Sequence, residues 1–314
     1  MFPIAMVFKR FGPILLLSVI PVSLGVKTVT VSIEVDKPKP KVAMTRDFAV
    51  PVLMYHRICD LTAAEAGSPL TRDLTVSPAD FEAQVTYLTE NGFSILSVYD
   101  VQKALLAEGE LPRKAVVITM DDGYRDNFEQ AFPILKRHGV SATVFVVTSV
   151  VGDSKHLSWP QINELGAAAW SFGSHSVSHP DLTSLNELLL KAELGDSKRK
   201  LEEHTGTPIT TIAYPSGRFD AKVVSETQQA GYLTGWNKGG GPVRPGDDPY
   251  RLPRVRVHGR TTLADFKRKV WSGIWTMKLS SPRLAYSPDA FAKSPILLTQ
   301  QYLLASSRLR ERGS

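Results

Sequence analysis

The sequence predicts an α/β protein, a distorted (β/α) barrel of about seven strands built as a single domain. Two observations lead to this fold class. From Val50 onward, short apolar runs alternate with helix-like stretches, and such alternation favours a parallel sheet wound into a barrel. The 314 residues also suffice for one large core, and no internal repeat or domain boundary is evident after residue 50.

The strand candidates are short segments rich in β-branched and aromatic residues, at 51–56, 94–98, 115–120, 142–147, 171–174, 211–214, 233–236 and 252–257. Helix-like stretches lie between them, near 78–91, 99–107, 125–138, 159–170, 183–205, 219–230 and 262–276. Ser77 and Pro78 are typical of a helix start, as N-cap and first helical residue. Because a parallel barrel carries its chemistry at the carboxyl ends of its strands, the residues that follow each strand are the functional candidates.

The N-terminal segment predicts export. Lys9 and Arg10 precede an apolar stretch over 11–26, which is the pattern of a signal peptide. The stretch is short for a spanning helix, and Pro21 argues against a regular one. We therefore expect cleavage after Gly25, with an uncleaved membrane anchor as the alternative, and a protein that is periplasmic, secreted or anchored facing outside.

The division of the chain follows from these patterns. Residues 1–25 are the signal peptide or anchor, 26–48 a polar linker, 49–278 the folded domain and 279–314 a C-terminal tail. The net charge is a mild +6, and no basic helix or basic-aromatic stripe of a nucleic-acid-binding protein is present. No protein partner is indicated. The single cysteine, Cys59, excludes an internal disulfide.

Two motifs carry the candidate chemistry. The buried strand at 115–118 is soon followed by Asp121 and Asp122, two like charges side by side. Asp-Asp-Gly is also ordinary turn sequence, so this pair alone decides nothing. A second strand end carries His175 and His179, whose spacing of four can place both rings on one side of a metal ion.

Two histidines and one carboxylate, with positions left for water, form a catalytic rather than a structural metal pattern. One aspartate would bind the divalent metal and the other would act as a base, and the charge of the metal would offset the repulsion between them. Four of the seven histidines lie at predicted strand ends, namely His56, His175, His179 and His258.

With these motifs, residues of about 50–275 resemble the polysaccharide deacetylases, carbohydrate esterase family 4 with its NodB homology domain. The segment 119–124, Thr-Met-Asp-Asp-Gly-Tyr, is similar to the first family motif, with Met120 in place of an aromatic residue. The resemblance implies that Asp121 is the base and Asp122 a metal ligand. The segment 175–179 matches the metal motif, which implies His175 and His179 as ligands.

The third motif departs from the family pattern. The chain has Ala-Tyr-Pro-Ser-Gly at 213–217, and the resemblance implies that the Ser216 N–H, after Pro215, holds the oxyanion. Ala213 stands where many members carry an arginine that tethers the base. We expect Arg254 to supply this charge from a later strand, the alternative being an ion pair at a strand end.

The general acid has two candidates. The segment 51–56 resembles the start of the exported poly-N-acetylglucosamine deacetylases, which implies His56. The alternative is His258, because the acid histidine comes last in the more familiar motif order; otherwise His258 is expected near the substrate. Tyr214 and Trp236 are expected to stack on a sugar ring beside Pro215, although strand-end aromatics often pack in a core.

The resemblance implies a metal-dependent hydrolase, with zinc as the expected metal, that removes acetyl groups from an N-acetylglucosamine polymer or oligomer. An O-acetyl esterase acting on xylan or another polysaccharide is an alternative, because the same site would cleave an ester. A glycoside hydrolase would need separated carboxylates and no histidine pair. A catalytically weak carbohydrate-binding protein would bind the glycan without releasing acetate.

Export predicts that the mature protein begins near Val26 and is found outside the cytoplasm. N-terminal sequencing of protein purified from its native host checks this. An intact Met1 in the membrane fraction would indicate the anchor instead, and an intact Met1 in the soluble cytosol would contradict both versions.

Overall fold

The structure, a computed structural model, describes residues 42–107 and 109–274. The predicted signal peptide or anchor, most of the predicted linker and the predicted C-terminal tail lie outside the described residues. Within the described part of the chain, no helix is both long and apolar enough to cross a membrane.

The strands are β1 Met44–Thr45, β2 Val52–Tyr55, β3 Arg57–Ile58, β4 Thr75–Val76, β5 Ser94–Leu96, β6 Leu111–Pro112, β7 Ala115–Met120, β8 Thr143–Val146, β9 Ser171–Ser174, β10 Thr211–Ala213, β11 Thr234–Trp236 and β12 Val255–Arg256. The α-helices are α1 Ala63–Ala66, α2 Pro69–Leu74, α3 Pro78–Glu90, α4 Val98–Leu106, α5 Phe132–Arg137, α6 Trp159–Ala167, α7 Glu187–Thr205, α8 Ala221–Gln229 and α9 Leu263–Ile274. A π-helical turn covers Asn127–Ala131, and 3₁₀ turns cover Leu182–Ser184 and Pro215–Gly217.

The main sheet is parallel and follows the order β11-β10-β9-β8-β7-β2-β12, with β5 paired to the first half of β7. The predicted fold class is therefore confirmed. The sheet curls until its two edges approach each other. The segment before β12 bridges them, because Leu252 donates its N–H to Gly235 and accepts one from Asn237 at 2.9 and 2.8 Å.

The central strands are buried along their whole length, as a parallel sheet covered on both faces requires. Side chains alternate between the helix layer outside and the barrel interior. In β7, Val116 and Ile118 pack outward in one apolar cluster, while Val117 packs in the interior cluster. This period of two carries the interior face of β7 upward through Thr119 to Asp121 at its carboxyl end.

The folded domain begins earlier than the sequence indicates. In the last part of the predicted linker, β1 pairs antiparallel with β6, and Arg113 donates its N–H to the Ala43 carbonyl. Phe48 is buried in the interior cluster. Because the segment before residue 42 is polar and rich in proline, the sequence did not indicate that Phe48 belongs to the core.

A close approach at Gly173 in β9 yields a stability prediction. A Cβ placed there would lie 2.5 Å from the Phe145 ring and 2.8 Å from Thr211 Cγ2. We expect Gly173→Ala to destabilise the protein by about 1–3 kcal/mol through overpacking. Urea denaturation measures the free energy of unfolding.

The matched control is Gly195→Ala in α7, where an added Cβ meets no atom within 4 Å. This variant should stabilise the protein by about 0.5–1 kcal/mol, because alanine favours a helix interior. Similar unfolding energies for the two variants would contradict the close approach at Gly173.

Candidate active site

The two predicted motifs meet at the carboxyl end of the sheet. Nε2 of His175 lies 3.5 Å and Nε2 of His179 lies 3.7 Å from Oδ1 of Asp122. One ligand atom from each of the three residues lies within 4.8 Å of the others, the one such group among the described residues. Ligands about 2.1 Å from a tetrahedral metal ion lie about 3.4 Å apart, so this spacing fits one small cation.

The orientation of His175 supports the same interpretation. Its Nδ1 lies 2.7 Å from the Ala213 carbonyl oxygen, which can only accept, so Nδ1 carries the proton. Nε2 is then an acceptor that faces the Asp122 carboxylate, so a cation placed between the two would be bound by both. Burial lowers the pKa of His175, which keeps the ring in the neutral form that binds metal. The residues therefore fit a divalent ion.

The backbone at this site is strained. Five non-glycine residues of the described chain have a positive φ, and four of them lie here: Asp122 at 72°, Ser176 at 66°, His179 at 60° and Ser216 at 55°. Each such residue costs about 1–3 kcal/mol unless surrounding contacts impose the conformation. Strain of this kind collects at functional sites.

Asp121 forms a different contact from its neighbour. Its two carboxylate oxygens accept hydrogen bonds of 2.6 and 2.7 Å from the Arg254 guanidinium. Arg254 is 1% exposed, donates also to the Asn237 carbonyl and to Thr119 Oγ1, and so forms a buried pair rather than a surface one. The structure thus brings Arg254 to Asp121, as the sequence predicted.

The paired carboxylates consequently differ in charge behaviour. Burial alone would raise the pKa of Asp121, but Arg254 and His175 hold it well below its usual range. Burial raises the pKa of Asp122, opposed by His175 and reinforced by the charge of Asp121. The repulsion expected between the adjacent acids is therefore reduced, because an arginine lies beside one carboxylate and the histidine pair lies beside the other.

His56 lies near this cluster at the end of β2. Burial lowers its pKa to about 4, while the charge of Asp121 raises it and Arg254 opposes protonation. Its Nδ1 is buried and has no hydrogen-bond partner in the described part of the chain. Asn127 holds the backbone in place by donating from Nδ2 to the His56 carbonyl at 2.9 Å.

His258 lies apart from the cluster. Its N–H donates to Thr261 Oγ1, and its ring lines a small pocket together with Thr261, Asp265, Arg268 and Lys269. Burial lowers its pKa, and the acid whose charge opposes this shift is Asp73. Of the two candidates for the general acid, the structure brings only His56 towards the paired aspartates.

The third motif forms a 3₁₀ turn over Pro215–Gly217, directly after the strand whose Ala213 carbonyl orients His175. Ser216 is exposed with φ of 55°, and the turn is closed by the Gly217 N–H, which donates to the Tyr214 carbonyl at 2.7 Å. Pro215 is buried beneath the turn. This places Ser216 on the surface at the carboxyl end of the sheet.

The expected sugar-stacking role of Tyr214 and Trp236 is wrong. Both side chains are 0% exposed. Trp236 donates from Nε1 to Thr211 Oγ1 in the interior cluster, and the Tyr214 hydroxyl donates to the Tyr250 carbonyl. Their strand positions direct them into the barrel and its helix layer, so neither ring can meet a substrate.

Sequence patterns did not reveal several supporting residues. Asp126 accepts from the Ile58 N–H at 2.9 Å and pairs with Arg57 at 3.3 Å, so with Asn127 it fixes the segment that follows β2. Their place four and five residues after Asp122 was the available signal. Glu193, which binds the loop before His179, looked like any acid on a helix surface.

Tyr124, two residues after Asp122, lines a cleft of about 450 Å³. Tyr124 lies between the Arg57 guanidinium, 5.7 Å from its ring centre, and the His156 ring, stacked at 5.0 Å. Burial and the Asp122 carboxylate raise the pKa of Tyr124 to about 12. His156 is oriented through Nδ1 by Asp153 at 2.8 Å.

The fold and site together define a hydrolase of the polysaccharide deacetylase type. A family model described as polysaccharide deacetylase matches residues 108–235. YxkH of Bacillus subtilis (strain 168), assigned to the same family, is 32% identical over 208 residues, which are 66% of this chain and 71% of that protein. The chain belongs to the polysaccharide deacetylase family.

Two further similarities extend this assignment. The poly-beta-1,6-N-acetyl-D-glucosamine N-deacetylase of Staphylococcus aureus (strain MRSA252) is 25% identical over 69% of this chain and 82% of its own. The Streptococcus pyogenes deacetylase PplD, solved with acetate, superposes with a TM-score of 0.67 at 28% identity, covering 71% of this chain and 98% of that one.

The buried pair predicts a large stability effect. We expect Arg254→Met to destabilise the protein by about 3–5 kcal/mol, because it leaves the Asp121 carboxylate buried without its partner. Urea denaturation at neutral pH, in the presence of a metal chelator, measures the loss.

Arg256→Met is the control, because Arg256 makes a partly exposed pair with Asp73 at 2.7 Å. Its loss should cost no more than about 1 kcal/mol. If both variants unfolded at the same urea concentration, the Arg254 pair would not have the strength assigned to it.

Proposed function

We propose that the protein is a metal-dependent N-deacetylase that hydrolyses the acetamido groups of an N-acetylglucosamine polymer or oligomer outside the cytoplasm. The observation that carries the proposal is the placement of a metal-fitting group, Asp122 with His175 and His179, next to a carboxylate held by Arg254. The similarity to a poly-N-acetylglucosamine deacetylase supports the substrate class.

Asp122, His175 and His179 would hold the ion, for which zinc suits two imidazole nitrogens and one carboxylate. A bound divalent cation supplies Lewis-acid polarisation of the acetyl carbonyl and lowers the pKa of a water molecule. These three residues present one ligand atom each, so positions remain for water and substrate.

Asp121 removes a proton from the attacking water, whose oxygen adds to the acetyl carbon. Arg254 holds both carboxylate oxygens and keeps the pKa of Asp121 low. A carboxylate with a low pKa is a weak base, so it does not retain the proton and passes it on within the site. The role of the buried arginine is to fix the direction of the base at some cost to its strength.

The Ser216 N–H donates a hydrogen bond to the carbonyl oxygen as negative charge develops on it. The support for this role is the position of the turn. It follows β10 directly, its positive φ at Ser216 sets the direction of the N–H, and the preceding Ala213 carbonyl orients His175. The end of β10 therefore both orients His175, which follows β9, and carries the proposed oxyanion donor.

His56 delivers a proton to the sugar nitrogen as the carbon–nitrogen bond breaks, and acetate and the free amine are the products. Because the pKa of His56 is lowered to about 4 by burial, its ring is neutral at rest near pH 7. The proton that it delivers must then be taken up during turnover, from the water proton that Asp121 releases. On this route, activity does not decline through titration of His56 between about pH 6 and 8.

The direct test is acetate release from acetylated glycans, with and without added zinc after chelation. Oligomers of N-acetylglucosamine with β-1,4 and β-1,6 linkages should release acetate only with metal. Faster release from O-acetylated xylan would identify an esterase instead. Glycan binding with no acetate released from any substrate would indicate a carbohydrate-binding protein on the same fold.

Two variants distinguish the role of a metal ligand from the role of the base. His179→Ala should lose both the bound metal and the activity, because it removes a ligand. Asp121→Asn should keep the metal and lose about 10²–10⁴-fold in rate, because it removes only the base. Elemental analysis and acetate release distinguish them. Full metal content with near wild-type rate in His179→Ala would refute the ligand assignment, and a near wild-type rate in Asp121→Asn would refute the base.

Substrates with different leaving groups distinguish the two candidates for the general acid, His56 and His258. An amide needs its departing nitrogen protonated, whereas an activated aryl ester does not, so His56→Ala should impair N-deacetylation far more than aryl acetate hydrolysis. His258→Ala should have a small effect on both, because its ring lies in another pocket. A larger, amide-selective loss in His258→Ala would transfer the acid role to His258.

A further inference from the structure

Both histidine ligands depend on one short loop. It follows β9 and includes two left-handed residues, Ser176 at φ 66° and His179 at φ 60°. Such conformations are unfavourable for residues with a side chain, so outside contacts must impose them. These contacts determine how far the loop already has its metal-binding conformation in the metal-free protein.

The two histidines are supported unequally. The His175 ring is fixed by its hydrogen bond to the Ala213 carbonyl. The His179 side chain is 37% exposed, and its ring contacts His175 edge to face at 4.8 Å between ring centres. Its N–H donates to Ser176 Oγ at 2.9 Å. The position of the His179 ring therefore depends on the backbone of its loop.

Glu193, in the middle of α7, binds that backbone. One carboxylate oxygen accepts the N–H groups of Val177 and Ser178 at 2.8 and 2.9 Å. The other accepts the Ser178 hydroxyl at 2.6 Å. Three hydrogen bonds to one charged group are stronger than neutral ones, and they hold the two residues that lie between Ser176 and His179.

The same face of α7 also holds the start of the loop. Ser197, one helical turn beyond Glu193, lies 2.8 Å from Ser174 through their hydroxyl oxygens. Ser174 in turn accepts the Ser176 N–H. The helix is anchored in the core by its buried leucines, Leu190, Leu194 and Leu201. One face of this helix therefore holds the ligand loop, residues 174–179, at two places. Ser197 contacts its start, and Glu193 contacts the two residues before His179.

We propose that Glu193 is a positioning residue that preorganises His179 for metal binding, with α7 as its rigid support. The inference rests on the proposed metal site. Residues that orient a metal ligand without touching the ion commonly change its affinity by about 10- to 100-fold when removed. Glu193 does not contact the His179 ring. It fixes the loop backbone from which the His179 side chain projects.

The experiment measures zinc affinity of the whole protein by competition with a chromophoric chelator, and amide hydrogen exchange of the loop without metal. Glu193→Ala should weaken zinc binding about 10- to 100-fold and accelerate exchange at Val177 and Ser178. Glu193→Gln keeps an acceptor for both N–H groups but loses the charge, so it should lose clearly less zinc affinity than Glu193→Ala. Glu187→Gln, at the exposed start of α7 and paired with Lys191, is the matched control and should change neither quantity.

The outcomes separate this inference from the site itself. If the wild type binds no zinc, the proposed metal site is wrong. If the wild type binds zinc and Glu193→Ala binds it equally well, the positioning role is wrong while the site stands. An equal loss in Glu193→Gln would mean that the charge, and not the hydrogen-bond geometry, is responsible, which also overturns the proposal. Should the alanine variant not fold, Glu193→Asp withdraws the carboxylate by one methylene and must show the same loss of affinity.

Discussion

The structure depends on one electrostatic problem: two adjacent carboxylates end a fully buried strand. An unpaired charge in such a place costs several kcal/mol, so each acid needs its own compensation. Asp121 continues the interior face of β7 and receives a buried arginine from the segment before β12. Asp122 has a left-handed backbone, which turns its side chain towards the histidines after β9. The curl of the sheet is what lets β7, β9 and β12 converge on the same pair.

This arrangement explains why the strained residues collect at one edge. Ser176 and His179 in the loop after β9, Ser216 in its turn, and Asp122 itself all adopt left-handed conformations, and the loop after β9 is held by contacts with rigid elements. Ala213 orients His175 from β10, and Glu193 holds the backbone before His179 from α7. The site is therefore rigid because its supports are core strands and a core-anchored helix, which suits a metal centre and a fixed base.

Much of this was accessible from the sequence, and the limits have physical causes. Strand alternation gives the fold class, since a buried parallel sheet produces continuous apolar runs, and the short motifs give the cluster of Asp122, His175 and His179. The contact of Arg254 with Asp121 followed from a missing arginine in the third motif. Sequence position could not tell a core aromatic from an exposed one, so Trp236 and Tyr214 were assigned to the substrate although both are buried. It also could not reveal Glu193, because Glu193 binds backbone N–H groups of Val177 and Ser178. Every residue except proline has a backbone N–H, so the residue types in the loop do not indicate this contact.

The two aspartates have separate partners, and only Asp122 faces the proposed metal site. A crystal structure with anomalous diffraction recorded at the zinc absorption edge tests this most directly. The expected result is one zinc peak among Asp122 Oδ1, His175 Nε2 and His179 Nε2, with both oxygens of Asp121 still bound to Arg254. A zinc peak coordinated by Asp121, with the arginine pair broken, would contradict the claim, as would a peak away from these three residues.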